Sequence, residues 1–236
     1  MTRPVLLAVA HGSRDPAAQE CVLSLTGRVA ALAGGTRVRT AFVQNAEPSL
    51  AEGLHDAAAL AGADGVVVVP LLLSSGYHLN SDITGAARAA GVPVAAQLGP
   101  DPRLVRALAD RLAEAGVPGD VPVVLAAAGS RDPRALADTR RQAAMLAAHR
   151  GTPVVAAFAS AAPPAVDEAV SFLASLTGQP VAVATYLLAP GLFHDRLTRS
   201  AGRWVSAPIG DHPVAAELVL DSFRAAAGLD VTPAAA

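Results

Sequence analysis

The sequence predicts an α/β protein made of two tandem homologous domains, each a small parallel sheet flanked by helices. Three observations predict it. Gly12-Ser13-Arg14-Asp15-Pro16 recurs letter for letter as Gly129-Ser130-Arg131-Asp132-Pro133, and each copy follows an apolar run. Short apolar runs alternate along the chain with stretches of Ala, Leu, Arg and Glu at helical spacing. The apolar runs also lack period-two alternation, which is expected of parallel strands buried on both faces.

In the first half the strands fall near 4–10, 36–43, 65–72 and 92–96, and the helices near 16–33, 48–62, 80–90 and 101–115. Helix starts are marked by Asp15-Pro16, Pro48-Ser49 and Asp101-Pro102, each with a proline in the first turn or an Asp or Ser cap. Strands alternating with helices of 10 to 15 residues imply βαβ units and a parallel sheet. The repeat continues beyond its opening motif. Thr40-Ala41-Phe42 answers Ala156-Ala157-Phe158, Glu47-Pro48 answers Pro163-Pro164, and the run Val67 to Gly76 answers Ala182 to Gly191. The turn-rich Gly116-Val117-Pro118-Gly119 divides the chain into an N-terminal domain, 1–117, and a C-terminal degenerate repeat, 118–236.

Composition narrows the function. The 236 residues carry a net charge of −2, with 52% hydrophobic, 16% charged and 3% aromatic residues. That leaves no basic stripe or stacking platform for nucleic acid. The longest apolar stretch, Val66 to Leu73, contains a proline and is far short of the roughly 20 residues a membrane helix needs. The first apolar run leads straight into a polar motif, so it reads as a buried strand rather than a signal peptide, and the expected location is cytoplasmic. One cysteine, Cys21, excludes a disulfide framework and a cysteine-based zinc site. The chain has no lysine, which excludes a lysine nucleophile and a P-loop.

In an open parallel sheet, ligands bind beyond the carboxyl ends of the strands, where the strand order reverses. His11-Gly12-Ser13-Arg14-Asp15 follows the first strand, Gln44, Asn45 and Glu47 follow the second, and Ser74 to Asp82 follow the third. Two of the six histidines, His11 and His78, therefore fall at the ends of strands of one sheet. Imidazole is a ligand for iron, cobalt, nickel and zinc, and it accepts a proton near neutral pH. The second repeat has Ala128 in place of His11, and its His194 stands near the position of His78 but about one place off. This is the pattern of a duplicated scaffold in which one copy keeps the active groups. The other histidines have structural readings. His55 lies within a helix, His149 near a helix end, and His212 at a helix start.

The segments Ala8 to Pro16 and Val69 to Ile83 resemble the two signature segments of the class II chelatases, the CbiX/SirB-type sirohydrochlorin chelatases in their two-domain form. The intervening Ala46-Glu47-Pro48-Ser49-Leu50 and the duplication agree with the resemblance. It implies two Rossmann-like halves facing each other across a central cleft. It also implies insertion of Fe²⁺ or Co²⁺ into sirohydrochlorin for sirohaem or cobalamin biosynthesis, a lyase-type reaction with no permanently bound cofactor. His11 and His78 carry over as the catalytic and metal-handling pair. Ser13, Arg14, Ser75, Gly76 and Asn80 are the candidates for binding the carboxylates of the tetrapyrrole. Gln44 stands where some members have an acidic residue. The partners expected are the tetrapyrrole and the metal ion alone, with no nucleic acid and no membrane, in a monomer (a pseudo-dimer) or a homodimer. The alternative is a non-catalytic carrier of metal or tetrapyrrole.

Overall fold

In the computed structural model, residues 4–229 are described, and the side chains of residues 77–80 lie outside that description. The first strand, β1 (Val5–Ala10), is apolar at every position and buried at every position. It can be so because it is the central strand of a three-stranded parallel sheet, flanked by β2 (Arg37–Phe42) and β3 (Val66–Pro70) in the order β2-β1-β3. On β2, Arg37 and Arg39 are exposed while Ala41 and Phe42 are buried. A charged outer strand of this kind discourages pairing with another chain.

The helices begin where the capping residues indicated. Asp15 accepts the Ala17 N–H at 3.0 Å to start α1 (Pro16–Leu32). Ser49 and Glu52 form a capping box at the head of α2 (Leu50–Ala61). After a single 3₁₀ turn and β3, α3 (Tyr77–Ala89) begins three residues earlier than the predicted 80. The strand predicted at 92–96 is reduced to one bridge, Val94 to Val68, because Pro93 and the turn after α3 leave no length for a ladder. Asp101 accepts the Arg103 N–H at 2.8 Å at the head of α4 (Arg103–Glu114).

The second repeat builds the same pattern from β4 (Val123–Ala127), α5 (Pro133–Arg150), β5 (Val154–Phe158), α6 (Val166–Thr177), β6 (Ala182–Tyr186) and α7 (Leu192–Leu197). A two-residue strand, β7 (Trp204–Val205), and α8 (Pro213–Ala226) complete the chain. The sheet order is β5-β4-β6-β7, with every pairing parallel.

The two compact units do not follow the boundary between the repeats at 117/118. One unit comprises the described parts of Met1–Leu72, Tyr77–Leu98 and Asp211–Ala236; the other comprises Leu73–Gly76 and Gly99–Gly210. Each repeat has given its last helix to the other unit. α4 packs on α5 and β6, and α8 packs on α1 and β3. Each helix has a large apolar face that must be buried. α4 buries Leu104, Val105, Leu108 and Leu112, and α8 buries Val214, Leu218, Val219, Leu220 and Phe223. At about 1.5–3 kcal/mol per fully buried large side chain, such a face must be matched by a sheet face, whichever repeat supplies it.

In the first unit, Val5, Leu7 and Val9 of β1 pack with Val66 and Val68 of β3, Leu54 of α2 and Ile83 of α3. In the second, Val124 and Ala126 of β4 pack with Val166, Val170 and Leu173 of α6. Both sheets place their central strand second in the order. The chain leaves β1 to form β2 on one side and later returns to form β3 on the other. The strand order therefore reverses between β1 and β3, which is where a ligand crevice opens in such a sheet.

Candidate active site at the carboxyl end of the first strand

Immediately after β1 the chain reaches His11. The ladder between β1 and β2 runs on past both strands, with Val43 N–H donating to the Ala10 carbonyl and Gln44 N–H to the His11 carbonyl, both at 3.0 Å. This brings the two side chains together, and Gln44 Nε2 lies 3.1 Å from His11 Nε2. With the amide nitrogen as donor, His11 Nε2 accepts, the ring proton sits on Nδ1 and the imidazole is neutral. Burial on one side pushes the His11 pKa below its ordinary 6.5, which favours the same form. A neutral imidazole on an exposed strand end can bind a metal ion or take up a proton.

The approach of the two strand ends depends on Gly12, which adopts φ +91°. A Cβ there would overlap the Gln44 carbonyl oxygen. The second unit repeats the device closely. Gly129 has φ +95°, and its Cβ would overlap the Ser160 carbonyl oxygen. The corresponding side chains are different. Ala128 replaces His11 and Ser160 replaces Gln44, whose hydroxyl only donates to the Ala128 carbonyl at 2.8 Å. The backbone cradle is duplicated and its chemistry is not.

The neighbouring loop residues are used locally. Ser13 Oγ accepts the Asp15 N–H at 3.1 Å, and the Ser13 carbonyl accepts from Gln19 Nε2. Arg14 is exposed and makes no ion pair among the described residues, and its neighbour Asp15 is occupied in capping α1. Ser75 differs from expectation. Its N–H and Oγ both donate to Asp138 Oδ2, at 3.0 and 2.6 Å, so its donors already serve a protein carboxylate. Gly76 precedes α3, and a Cβ there would meet nothing within 4 Å. His78 and Asn80 occupy the first turn of α3; their side chains lie outside the described residues. By strand register, Val9 pairs with Pro70 and Ala126 with Thr185. That alignment sets Phe193, not His194, against His78.

His55 is exposed on α2, His149 lies in the last turn of α5, and His212 caps α8 through Nδ1, which accepts the Val214 N–H at 3.3 Å. Among the described residues no group of three or more His, Cys, Asp or Glu side chains is gathered to hold a metal ion. No helix among them is long and apolar enough to cross a membrane. Two residues that hold the loop after β3, Asp138 and Tyr186, carried no sequence signal: one sits within an ordinary helix and the other ends an apolar strand.

Replacing Gln44 by Glu tests the electrostatics of the pair. A carboxylate beside the ring stabilises the imidazolium, so it opposes the effect of burial. An NMR titration of the His11 ring is expected to give a midpoint below 6.5 in the wild type and one about a unit higher in Gln44→Glu. A wild-type midpoint at or above 6.5 would contradict the neutral-ring geometry.

Taken together, the fold is that of a duplicated parallel α/β protein, with an imidazole at the switch point of one sheet. The CbiX family model matches the chain twice, over residues 5–115 and 122–226, and the chain belongs to that family. It is 29% identical to the sirohydrochlorin ferrochelatase of Bacillus subtilis, over 94% of this chain and 91% of that protein. It is 35% identical to the sirohydrochlorin cobaltochelatase of Methanosarcina acetivorans over 80 residues, which cover 34% of this chain and 61% of the relative's length. Among solved structures, SirB from Bacillus subtilis with Fe³⁺ superposes with a TM-score of 0.78 at 27% identity, covering 96% of each chain.

Proposed function

We propose that the protein is a cytoplasmic sirohydrochlorin chelatase that inserts Fe²⁺ or Co²⁺ into the macrocycle, with His11 and His78 as its metal-handling and proton-accepting pair. The observation that carries the reading is the His11 imidazole at the switch point of one sheet, 3.1 Å from the Gln44 amide, with its pKa lowered by burial and with no counterpart in the twin sheet, where Ala128 stands. The names of the relatives support the substrate and both metals.

The reaction removes two protons from pyrrole nitrogens as a divalent ion, stripped of water, enters the ring. A neutral imidazole can do one of two things for this: donate a lone pair to the ion or accept a departing proton. Two imidazoles allow both at once. Gln44 adds no charge to the site, and with the ring proton on Nδ1 the His11 lone pair is on Nε2, which exchanges its hydrogen bond from Gln44 for the metal or the proton. The exposed Arg14 guanidinium is the candidate clamp for a substrate carboxylate.

The test is an anaerobic visible-absorption time course of sirohydrochlorin with Fe²⁺ and, separately, Co²⁺, at substoichiometric protein. Wild type is expected to run through many turnovers and the His11→Ala/His78→Ala double variant to fall to the buffer rate. A spectral shift that saturates at one equivalent would identify a carrier instead, and no shift at all would remove the tetrapyrrole from consideration.

A further inference from the structure

The four residues Leu73-Ser74-Ser75-Gly76 lead from β3 into α3, whose second residue is His78. Although β3 and α3 both belong to the first unit, these four residues pack within the second. Two side chains of that unit hold them. On α5, Asp138 Oδ2 accepts both donors of Ser75, the N–H at 3.0 Å and the hydroxyl at 2.6 Å. At the end of β6, the Tyr186 hydroxyl donates to the Leu73 carbonyl at 2.8 Å.

The chemistry of both anchors suits a fixed loop. A carboxylate oxygen that accepts two hydrogen bonds from one residue sets the position and the orientation of that residue together. The Tyr186 phenol is only 2% exposed. Burial above all, then the nearby Asp138 and Asp101 carboxylates, pushes its pKa far up, so it remains a hydrogen-bond donor at any working pH. Gly99 makes the contact possible. A Cβ there would collide with the Tyr186 hydroxyl and lie 2.6 Å from the Leu73 carbonyl oxygen.

We propose that Asp138 and Tyr186 are positioning residues for the reaction, which fix the β3–α3 loop and so set where α3 and its His78 begin. The second repeat has lost the histidine of its own first strand, and on this reading it has become the mount for the loop of the first. The proposal rests on the assignment of His78 given above. The role assigned to both residues is exercised through the loop alone.

The experiment is a double-variant cycle on the full-length protein, measured as steady-state metal insertion into sirohydrochlorin together with thermal melting. Asp138→Ala is expected to lower kcat by about 10- to 100-fold, the scale on which a displacement of about 1 Å acts. Asp138→Asn keeps an oxygen that accepts from Ser75 and is expected to recover most of that loss. Tyr186→Phe is expected to move kcat in the same direction as Asp138→Ala, and it keeps the test open if Asp138→Ala does not fold. In a His78→Ala background, Asp138→Ala is expected to have no further effect, because the group it positions is gone. A kcat within twofold of wild type for both Asp138→Ala and Tyr186→Phe overturns the proposal. So does an Asp138→Ala loss of the same size with and without His78, which is the signature of a general structural role. If His78→Ala alone turns over like wild type, the assignment of His78 itself is wrong, a result distinct from the other two.

Discussion

His11→Ala is expected to lower kcat for metal insertion by about 10²- to 10⁴-fold, the range over which a positioned acid–base group contributes, while melting within a few degrees of wild type. The size of the loss follows from the role proposed for the imidazole, as a ligand for the metal or an acceptor for a proton. The small change in stability follows from the protein itself. His11 lies at the surface, so its removal opens no enclosed cavity, and its side-chain partner Gln44 can turn to water. Ala128 already occupies the equivalent turn of the second unit without disturbing it. Turnover within threefold of wild type would remove His11 from the mechanism.

A larger structural effect is expected at the next residue. Gly12→Ala must place a Cβ on the Gln44 carbonyl oxygen at φ +91°. The left-handed conformation alone costs an alanine about 1–2 kcal/mol, and relieving an overlap adds about 1–3 kcal/mol. A destabilisation of about 3 kcal/mol is expected, which lowers Tm by roughly 10 °C in a chain of this length. The second unit supplies the control, because Gly129→Ala creates the same overlap with Ser160 at φ +95°. Both variants are expected to melt early. Only Gly12→Ala is expected to lose turnover per folded molecule, since only there does the displaced strand end carry an imidazole. Equal losses in the two would show that the edge of the second sheet takes part in the chemistry.

The cradle around His11 was half legible. The strand, the Gly-Ser-Arg-Asp-Pro turn and the histidine at its mouth follow from an apolar run ending in a positive-φ glycine and an Asp-Pro helix start. The contact with Gln44 was not legible, because it depends on the β1–β2 register, and a one-residue slip would have turned the amide away. Ser75 shows the converse, a partner that lies far along the chain. A serine in a strand-end loop resembles a substrate donor, yet an aspartate 63 residues later in the chain takes both its donors. Nothing local to either residue announces the other.

The sequence by itself determined the repeat, the alternation of strands and helices apart from the strand expected at 92–96, the Asp and Ser caps, and the histidine after β1. All of these rest on contacts a few residues apart or on the periodicity of burial. The tertiary structure alone decided which sheet each final helix covers. The amphipathic faces of α4 and α8 require burial, but the hydrophobic effect has no direction and does not name a partner. The choice falls to packing over the whole chain, and each final helix lies in the unit built on the other repeat's sheet. The same exchange leaves the loop before His78 in the hands of the other repeat.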